Sequence, residues 1–171
     1  FYEKALELQK TYKVEGMEIQ NTLQTNGTLI DIPLAQFLSK HKFLVGISLD
    51  GPKELHDQYR KDKNGKGSFN RVLKSIEILE QHRVEFNTLT VINNSNGRHP
   101  IDVYKGLKNA GSQYIQFIPI VEFIEKNIVS DLTVEAEVFG TFLIEIFKAW
   151  LKEDIGRIFI GHIDMILAIY M

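Results

Sequence analysis

FLVGISLD at residues 43–50, closed by Gly51-Pro52, is a short and almost continuously apolar run stopped by a turn dipeptide. A strand buried on both faces has this look, and such strands belong to parallel sheets. Upstream, MEIQNTLQT at 17–25 reads as a strand ended by Asn26-Gly27. Downstream, VEFNTLTVIN at 84–93 and YIQFIPIVEF at 114–123 read as two more, with Pro119 marking a strand end.

Helical patterns fill the intervals. Ala5, Leu6, Leu8 and Tyr12 lie near one face over residues 3–13. Asp31 caps a helix over about 32–41, with Pro33 in its first turn. Residues 53–67 are charged and contain glycine, which predicts a long loop or a helix followed by a loop. Ser68 is the expected cap of FNRVLKSIEILEQHR, where Phe69, Val72, Leu73, Ile76 and Leu79 fall at helical spacing. IDVYKGLKNAG at 101–111 is a helix closed by Gly111. Thr133 opens a long helix to about Lys152, whose Phe139, Phe142, Leu143, Ile146, Phe147 and Trp150 read as core packing, and the last fifteen residues read as helical again.

Strands alternating with helices predict an α/β fold of about four parallel strands with crossover helices. The pattern alone allows a doubly wound sheet or a partial parallel (β/α) barrel. Both gather their active groups at the C-terminal strand ends. Those ends are Gln24-Thr25-Asn26-Gly27, Ser48-Leu49-Asp50-Gly51, Val91-Ile92-Asn93-Asn94 and Pro119-Ile120-Val121-Glu122.

The chain has 171 residues, 44% hydrophobic and 25% charged, with a net charge of −2 and no cysteine. That is an ordinary globular composition for a single unit. The charge balance argues against a general nucleic-acid binder. Absence of cysteine excludes disulfides, thiolate nucleophiles and cysteine-held clusters within these residues. No uninterrupted apolar stretch has membrane-spanning length, and His162 and Asp164 break the nearest candidate. Phe1 begins inside an amphipathic pattern and Met171 closes an apolar run, so the segment is expected to be truncated at both ends.

The second strand end carries most chemistry. Ser48 and Asp50 share a strand parity, and Arg60 follows after one charged segment. A hydroxyl, a carboxylate and a guanidinium converging on one pocket suit a ligand bearing a carboxylate and a ribose. The same residues are equally compatible with Asp50 capping the next turn and Arg60 being a solvated surface charge. Other signals are weaker. Asn64-Gly65-Lys66-Gly67 lacks phosphate-loop spacing, the five histidines show no ligand pattern, and Ser48 has no nucleophile elbow.

SLDGPKELHDQYR, followed by KGSFNRVLKSIEIL, resembles the radical S-adenosylmethionine superfamily, in particular its anaerobic sulfatase-maturating enzymes. LQTNGTLI is similar to that family's third barrel strand, ISLDGP to its fourth, NTLTVIN to its fifth and YIQFIPIVE to its sixth. The resemblance implies a partial barrel of the radical S-adenosylmethionine type and assigns roles by position. Ser48 and Arg60 match contacts to the cofactor's ribose and carboxylate, and the backbone of Val121 matches a contact on its adenine side. Gln24 and Asn26 match substrate-side positions, and Asp50 belongs to the same signature. His56 and Asp57 are expected to shape the loop that presents Arg60.

Two family features have no counterpart here: the CxxxCxxC loop that holds the [4Fe–4S] cluster and the GGEP-type motif for the cofactor's amino group. The segment alone is therefore expected to be inactive and to bind no metal. In the intact family a 5′-deoxyadenosyl radical removes a β-hydrogen from a cysteine or serine of a sulfatase. Loss of a further electron and proton, then hydrolysis, leaves Cα-formylglycine. The resemblance also implies a sulfatase polypeptide as substrate, an electron donor such as ferredoxin or flavodoxin, and a cytoplasmic setting. A maturase of another ribosomal peptide, or a non-catalytic β/α scaffold for a nucleotide or protein, would carry similar strand ends.

Overall fold

The computed structural model describes residues 1–126 and 128–170. The chain runs α1 (Tyr2–Tyr12), β1 (Thr22–Thr25), α2 (Ile32–Lys40), β2 (Leu44–Ser48), α3 (Lys53–Tyr59), α4 (Phe69–Gln81), β3 (Phe86–Ile92), α5 (Pro100–Asn109) and β4 (Tyr114–Pro119). Then come a hairpin of β5 (Phe123–Glu125) and β6 (Ile128–Val129), α6 (Ala136–Glu153), β7 (Phe159–Ile160) and α7 (Gly161–Tyr170). Strands β1, β2, β3, β4 and β7 form one parallel sheet in that order. All four expected strands are present, in the expected order.

The two faces of the sheet differ. Side chains alternate across a strand, and Val45, Ile47, Thr88, Thr90, Ile92, Ile115, Phe117 and Ile160 all point one way and are buried. They meet Ala35 and Leu38 of α2, Val72, Ile76 and Leu79 of α4, Val103 and Leu107 of α5, and Phe142, Ile146 and Trp150 of α6 in one continuous core. Phe117 and Phe142 pack edge to face at 5.0 Å. On the opposite parity Gln24, Leu44, Tyr114, Gln116 and Phe159 are exposed and Ser48 and Asn87 half-buried, while Gly46 and Leu89 are buried. This is the architecture of a partial barrel: helices outside, an open concave sheet inside.

Of residues 43–50 only Leu44–Ser48 form the strand, and its open side is incompletely covered, with Leu44 40% exposed and Ser48 half-buried. Its apolar run arises because Gly46 lies in register with Asn87 beneath the Leu89 side chain, not because a second layer covers it. Asp31 caps α2 as expected, accepting from the Leu34 N–H at 2.9 Å. Gly111 closes α5 with φ +86°, a conformation that favours glycine.

Ser68 departs from expectation. Its hydroxyl makes no cap bond to α4. The first amide of that helix, Phe69 N–H, is instead satisfied by Asp57 Oδ1 at 2.9 Å. Residues 17–21 stay outside β1, and α6 starts at Ala136 rather than Thr133. Thr133 spends its hydroxyl on the Glu122 backbone, anchoring the base of the β5–β6 hairpin. The tail expected to be wholly helical begins with β7, which pairs with Tyr114 and Ile115.

Candidate active site

The end of β2 is tied to its neighbours by side chains rather than by further strand pairing. Thr90 Oγ1 donates to the Leu49 carbonyl at 2.8 Å, both groups buried. Asp50 is 5% exposed, and its Oδ1 accepts the Val91 N–H at 2.9 Å. A carboxylate thus stands where the next backbone rung between β2 and β3 would be. The chain then turns at Gly51, with φ +101° and Val103 Cα 3.1 Å from where a Cβ would sit. Only glycine meets both demands.

Arg60 returns to this point after α3. Its Nε donates to Asp50 Oδ2 at 2.5 Å and its Nη2 to Asp50 Oδ1 at 3.1 Å. This is a two-pronged charge-assisted pair, the strongest common form of side-chain hydrogen bonding. Asp50 neither caps the next turn nor reaches outward, because both its oxygens are spent inside the protein. Arg60 is not a free surface charge, yet its Nη1 makes no hydrogen bond among the described residues.

His56 holds the arrangement from beneath. It is fully buried, accepts the Asp50 N–H on Nδ1 at 3.2 Å, and meets Ser68 Oγ through Nε2 at 3.0 Å. An acceptor at Nδ1 places the ring proton on Nε2. Ser68 passes the chain on, its hydroxyl donating to the Arg60 carbonyl at 2.9 Å and its N–H to the same oxygen at 3.0 Å. Burial pushes the His56 pKa below its ordinary value, outweighing the attraction of Asp50. Asp57 binds Lys53 at 2.6 Å. Although burial works against it, the Lys53 ammonium and the Phe69 N–H keep its carboxyl below the usual range.

A neutral His56 makes stability sensitive to acid. The unfolded histidine protonates near pH 6.5, while the folded one titrates lower. The unfolded state then binds more protons, so stability is complete above about pH 6.5 and declines as pH falls. The decline approaches about 1.4 kcal/mol per pH unit until the folded pKa is passed. Thermal unfolding followed from pH 7.5 to 5 should show this slope, and His56→Asn, which keeps an acceptor near Nδ1, should flatten it. Equal slopes in both proteins would remove His56 as the titrating group.

Ser48 lies half-buried at the end of β2 on the open face, and its hydroxyl makes no bond among the described residues. Val121, 60% exposed, follows β4 on the same rim, and neither its N–H nor its carbonyl has an internal partner among those residues. Gln24 stands on the open face in register with Gly46. Asn26 sits beyond β1, its Oδ1 accepting the Thr28 N–H and hydroxyl at 3.1 and 3.0 Å. The following turn is fixed by Ser75, whose hydroxyl donates to the Gly27 carbonyl. Ser48, Arg60 and Val121 thus gather at the C-terminal rim and Gln24 lies deeper, while Asn26 is partly committed to its turn.

Three supports were not visible in the residue pattern. Ser68 looked like a helix cap and Thr90 like an ordinary strand residue. Gly106 packs α5 onto the Gly51-Pro52 turn, with 2.6 Å from an added Cβ to Pro52 N. Its only advance signal was a glycine inside a helical pattern, where it costs about 1 kcal/mol without a packing reason. Among the described residues no cluster of histidine, aspartate and glutamate could hold a metal, and no helix is long and apolar enough to cross a membrane.

A parallel half-barrel with its polar groups at the C-terminal rim is joined by a direct sequence match: residues 1–107 match the Radical SAM superfamily, and the chain belongs to it. Over its whole length it is similar to anaerobic sulfatase-maturating enzymes. It is 42% identical to the serine-type enzyme of Bacteroides thetaiotaomicron, covering 100% of this chain and 45% of that protein. It is 37% identical to the cysteine-type enzyme of Clostridium novyi, covering 100% and 46%. The solved structure of anSMEcpe with bound AdoMet and Cp18Cys peptide superimposes with a TM-score of 0.89 at 38% identity, over 96% of this chain and 46% of that one. The chain thus spans slightly under half the length of these relatives.

Proposed function

We propose that the protein to which this chain belongs is a radical S-adenosylmethionine oxidoreductase that converts a cysteine or serine of a sulfatase to Cα-formylglycine. The observation that carries the reading is the Asp50–Arg60 fork. It leaves Arg60 Nη1 without a hydrogen bond among the described residues, at the same rim where the Ser48 hydroxyl and the Val121 backbone also lack partners among them.

These groups fit S-adenosylmethionine. Arg60 Nη1 would take its carboxylate, Ser48 its ribose hydroxyls and the Val121 backbone its adenine side. A [4Fe–4S] cluster does not fit residues of this chain, which contains no cysteine, so its ligands belong elsewhere in the intact protein. Bound S-adenosylmethionine supplies the hydrogen-abstracting chemistry in this superfamily. The residues described here bind and orient. Arg60 arrives already desolvated and aimed, so little ordering is left for the binding step. The reading also supplies a cytoplasmic setting, with a reduced ferredoxin or flavodoxin as electron donor.

The test is anaerobic reconstitution of the full-length protein with iron and sulfide, followed by incubation with S-adenosylmethionine, a reductant and sulfatase-derived peptides carrying cysteine or serine. Expected products are 5′-deoxyadenosine and a peptide whose target residue has become an aldehyde, trapped by a hydrazine reagent and located by mass spectrometry. Cofactor cleavage with no aldehyde on either peptide would overturn the sulfatase assignment. The two peptides also decide between cysteine-type and serine-type oxidation.

A further inference from the structure

Between α3 and α4 the chain makes a small closed hairpin that the proposed cofactor site leaves unused. Lys61 and Gly67 form an antiparallel bridge. The Asp62 N–H donates to the Lys66 carbonyl at 2.8 Å and the Gly65 N–H to the Asp62 carbonyl at 2.9 Å. Gly65 turns the chain at φ +75°. Asp62 holds the loop together: its Oδ1 accepts the Asn64 and Lys66 N–H groups at 2.9 and 3.0 Å, and its Oδ2 accepts Arg71 Nη2 at 3.2 Å.

Residues 61–74 carry five basic side chains, Lys61, Lys63, Lys66, Arg71 and Lys74, against Asp62 alone, in a chain of net charge −2. All five are exposed, and only Arg71 meets a carboxylate among the described residues. Asp57, which lies against Gly67, is spent on Lys53 and the Phe69 N–H. Arg60, Lys61, Lys63 and Arg71 line one open depression of about 460 Å³, so the basic patch is continuous with the guanidinium proposed to hold the cofactor's carboxylate. No large apolar side chain of residues 60–74 is exposed. The patch therefore lacks the apolar core of a permanent interface and has the small, charged character of a transient one.

We infer that this basic hairpin is the docking site for an acidic one-electron carrier protein. Cleaving S-adenosylmethionine to methionine and 5′-deoxyadenosine takes one hydrogen atom from the substrate and one electron from a donor, which is left oxidised by that electron. The electron must arrive beside the cofactor. The hairpin begins at the residue after Arg60, and its tip lies about 10 Å further along the chain. Complementary charge speeds the encounter of such a pair, and salt weakens it. The inference rests on the cofactor chemistry proposed above and goes further in assigning the surface through which that chemistry is fed.

The test uses the full-length reconstituted enzyme with reduced flavodoxin, an acidic carrier, and with dithionite, a small reductant that needs no docking surface. With Lys61→Glu, Lys63→Glu and Lys66→Glu combined, kcat/KM for flavodoxin should fall at least about tenfold. The rate of 5′-deoxyadenosine formation with dithionite, S-adenosylmethionine affinity and Tm should stay at the wild-type values. Glutamine at the same three positions should give a smaller loss. Raising salt from about 0.05 to about 0.3 M should slow the flavodoxin reaction of the wild type more than that of either variant. Binding of oxidised flavodoxin, titrated at low salt without turnover, should weaken in the same order. Unchanged flavodoxin affinity in the glutamate variant would overturn the inference. Equal losses with flavodoxin and dithionite would also overturn it, since the effect would then lie in the fold or the cofactor site. Absence of cofactor cleavage by the wild type with dithionite counts against the function, and the binding titration still decides the docking site.

Discussion

Replacing Arg60 with alanine should raise the dissociation constant for S-adenosylmethionine at least tenfold, on the order of 1.4 kcal/mol. It should also destabilise the fold. Asp50, 5% exposed, would keep its Val91 bond and lose both charged ones, leaving a buried carboxylate without its counter-charge. Breaking a buried pair costs about 3–5 kcal/mol. The Arg60 side chain is 23% exposed, which brings the expectation down to about 2–3 kcal/mol. Arg60→Lys separates the two effects, since an ammonium retains the charge but cannot fork onto Asp50 while presenting a second nitrogen to the ligand. Titration calorimetry and denaturant unfolding of the full-length protein measure both quantities. Unchanged cofactor affinity in Arg60→Ala would take Arg60 out of the site.

The second large effect lies at Gly106, which touches no ligand. A methyl group there would meet Pro52 N at 2.6 Å, and Gly51 C and Pro52 Cδ at 2.9 Å. Two of those atoms are backbone, so relief requires α5 to move off the turn that ends β2. Overpacking of this kind costs about 3 kcal/mol, or roughly a 10 °C fall in Tm for a protein of this size. Asp50 immediately precedes the turn, so cofactor affinity should fall as well. Gly140→Ala in α6 is the matched control, because nothing lies within 4 Å of its added Cβ. There the gain in helix propensity, up to about 1 kcal/mol, should appear unopposed. Equal Tm changes in the two variants would show that the close approach of α5 to the turn has no energetic weight.

The parallel α/β order was legible because its strands are apolar runs interrupted by turn residues, and because Asp31, Pro33 and Gly111 punctuate helices in the ordinary way. Strand β7 was not, since two residues carry no period. Nor was the one-sidedness of β2: in FLVGISLD, Gly46 hides the alternation that would have revealed an open face. At the site, Ser48, Asp50 and Arg60 stood out by type and spacing. Their partners did not, because ten residues and a helix separate Asp50 from Arg60. A sequence gives no measure of whether two opposite charges there meet each other or a ligand. Ser68 was misread for a related reason. A hydroxyl before a helix is usually its cap, yet a buried imidazole and a carbonyl offered better partners, and Asp57 took over the capping.

The two-faced sheet also separates what this protein must keep from what it is free to change. Its buried apolar contacts lie on the helix side, from Val45 and Ile47 through Phe117 to Phe142 and Trp150. Exposed residues of the open side, such as Gln24, Tyr114 and Gln116, add little to that core. Substitutions there cost little folding free energy, as expected of surface positions. If it carries the proposed activity, a protein divided in this way can take new targets by redrawing its inner wall, with no compensating repair in the layer that keeps it folded.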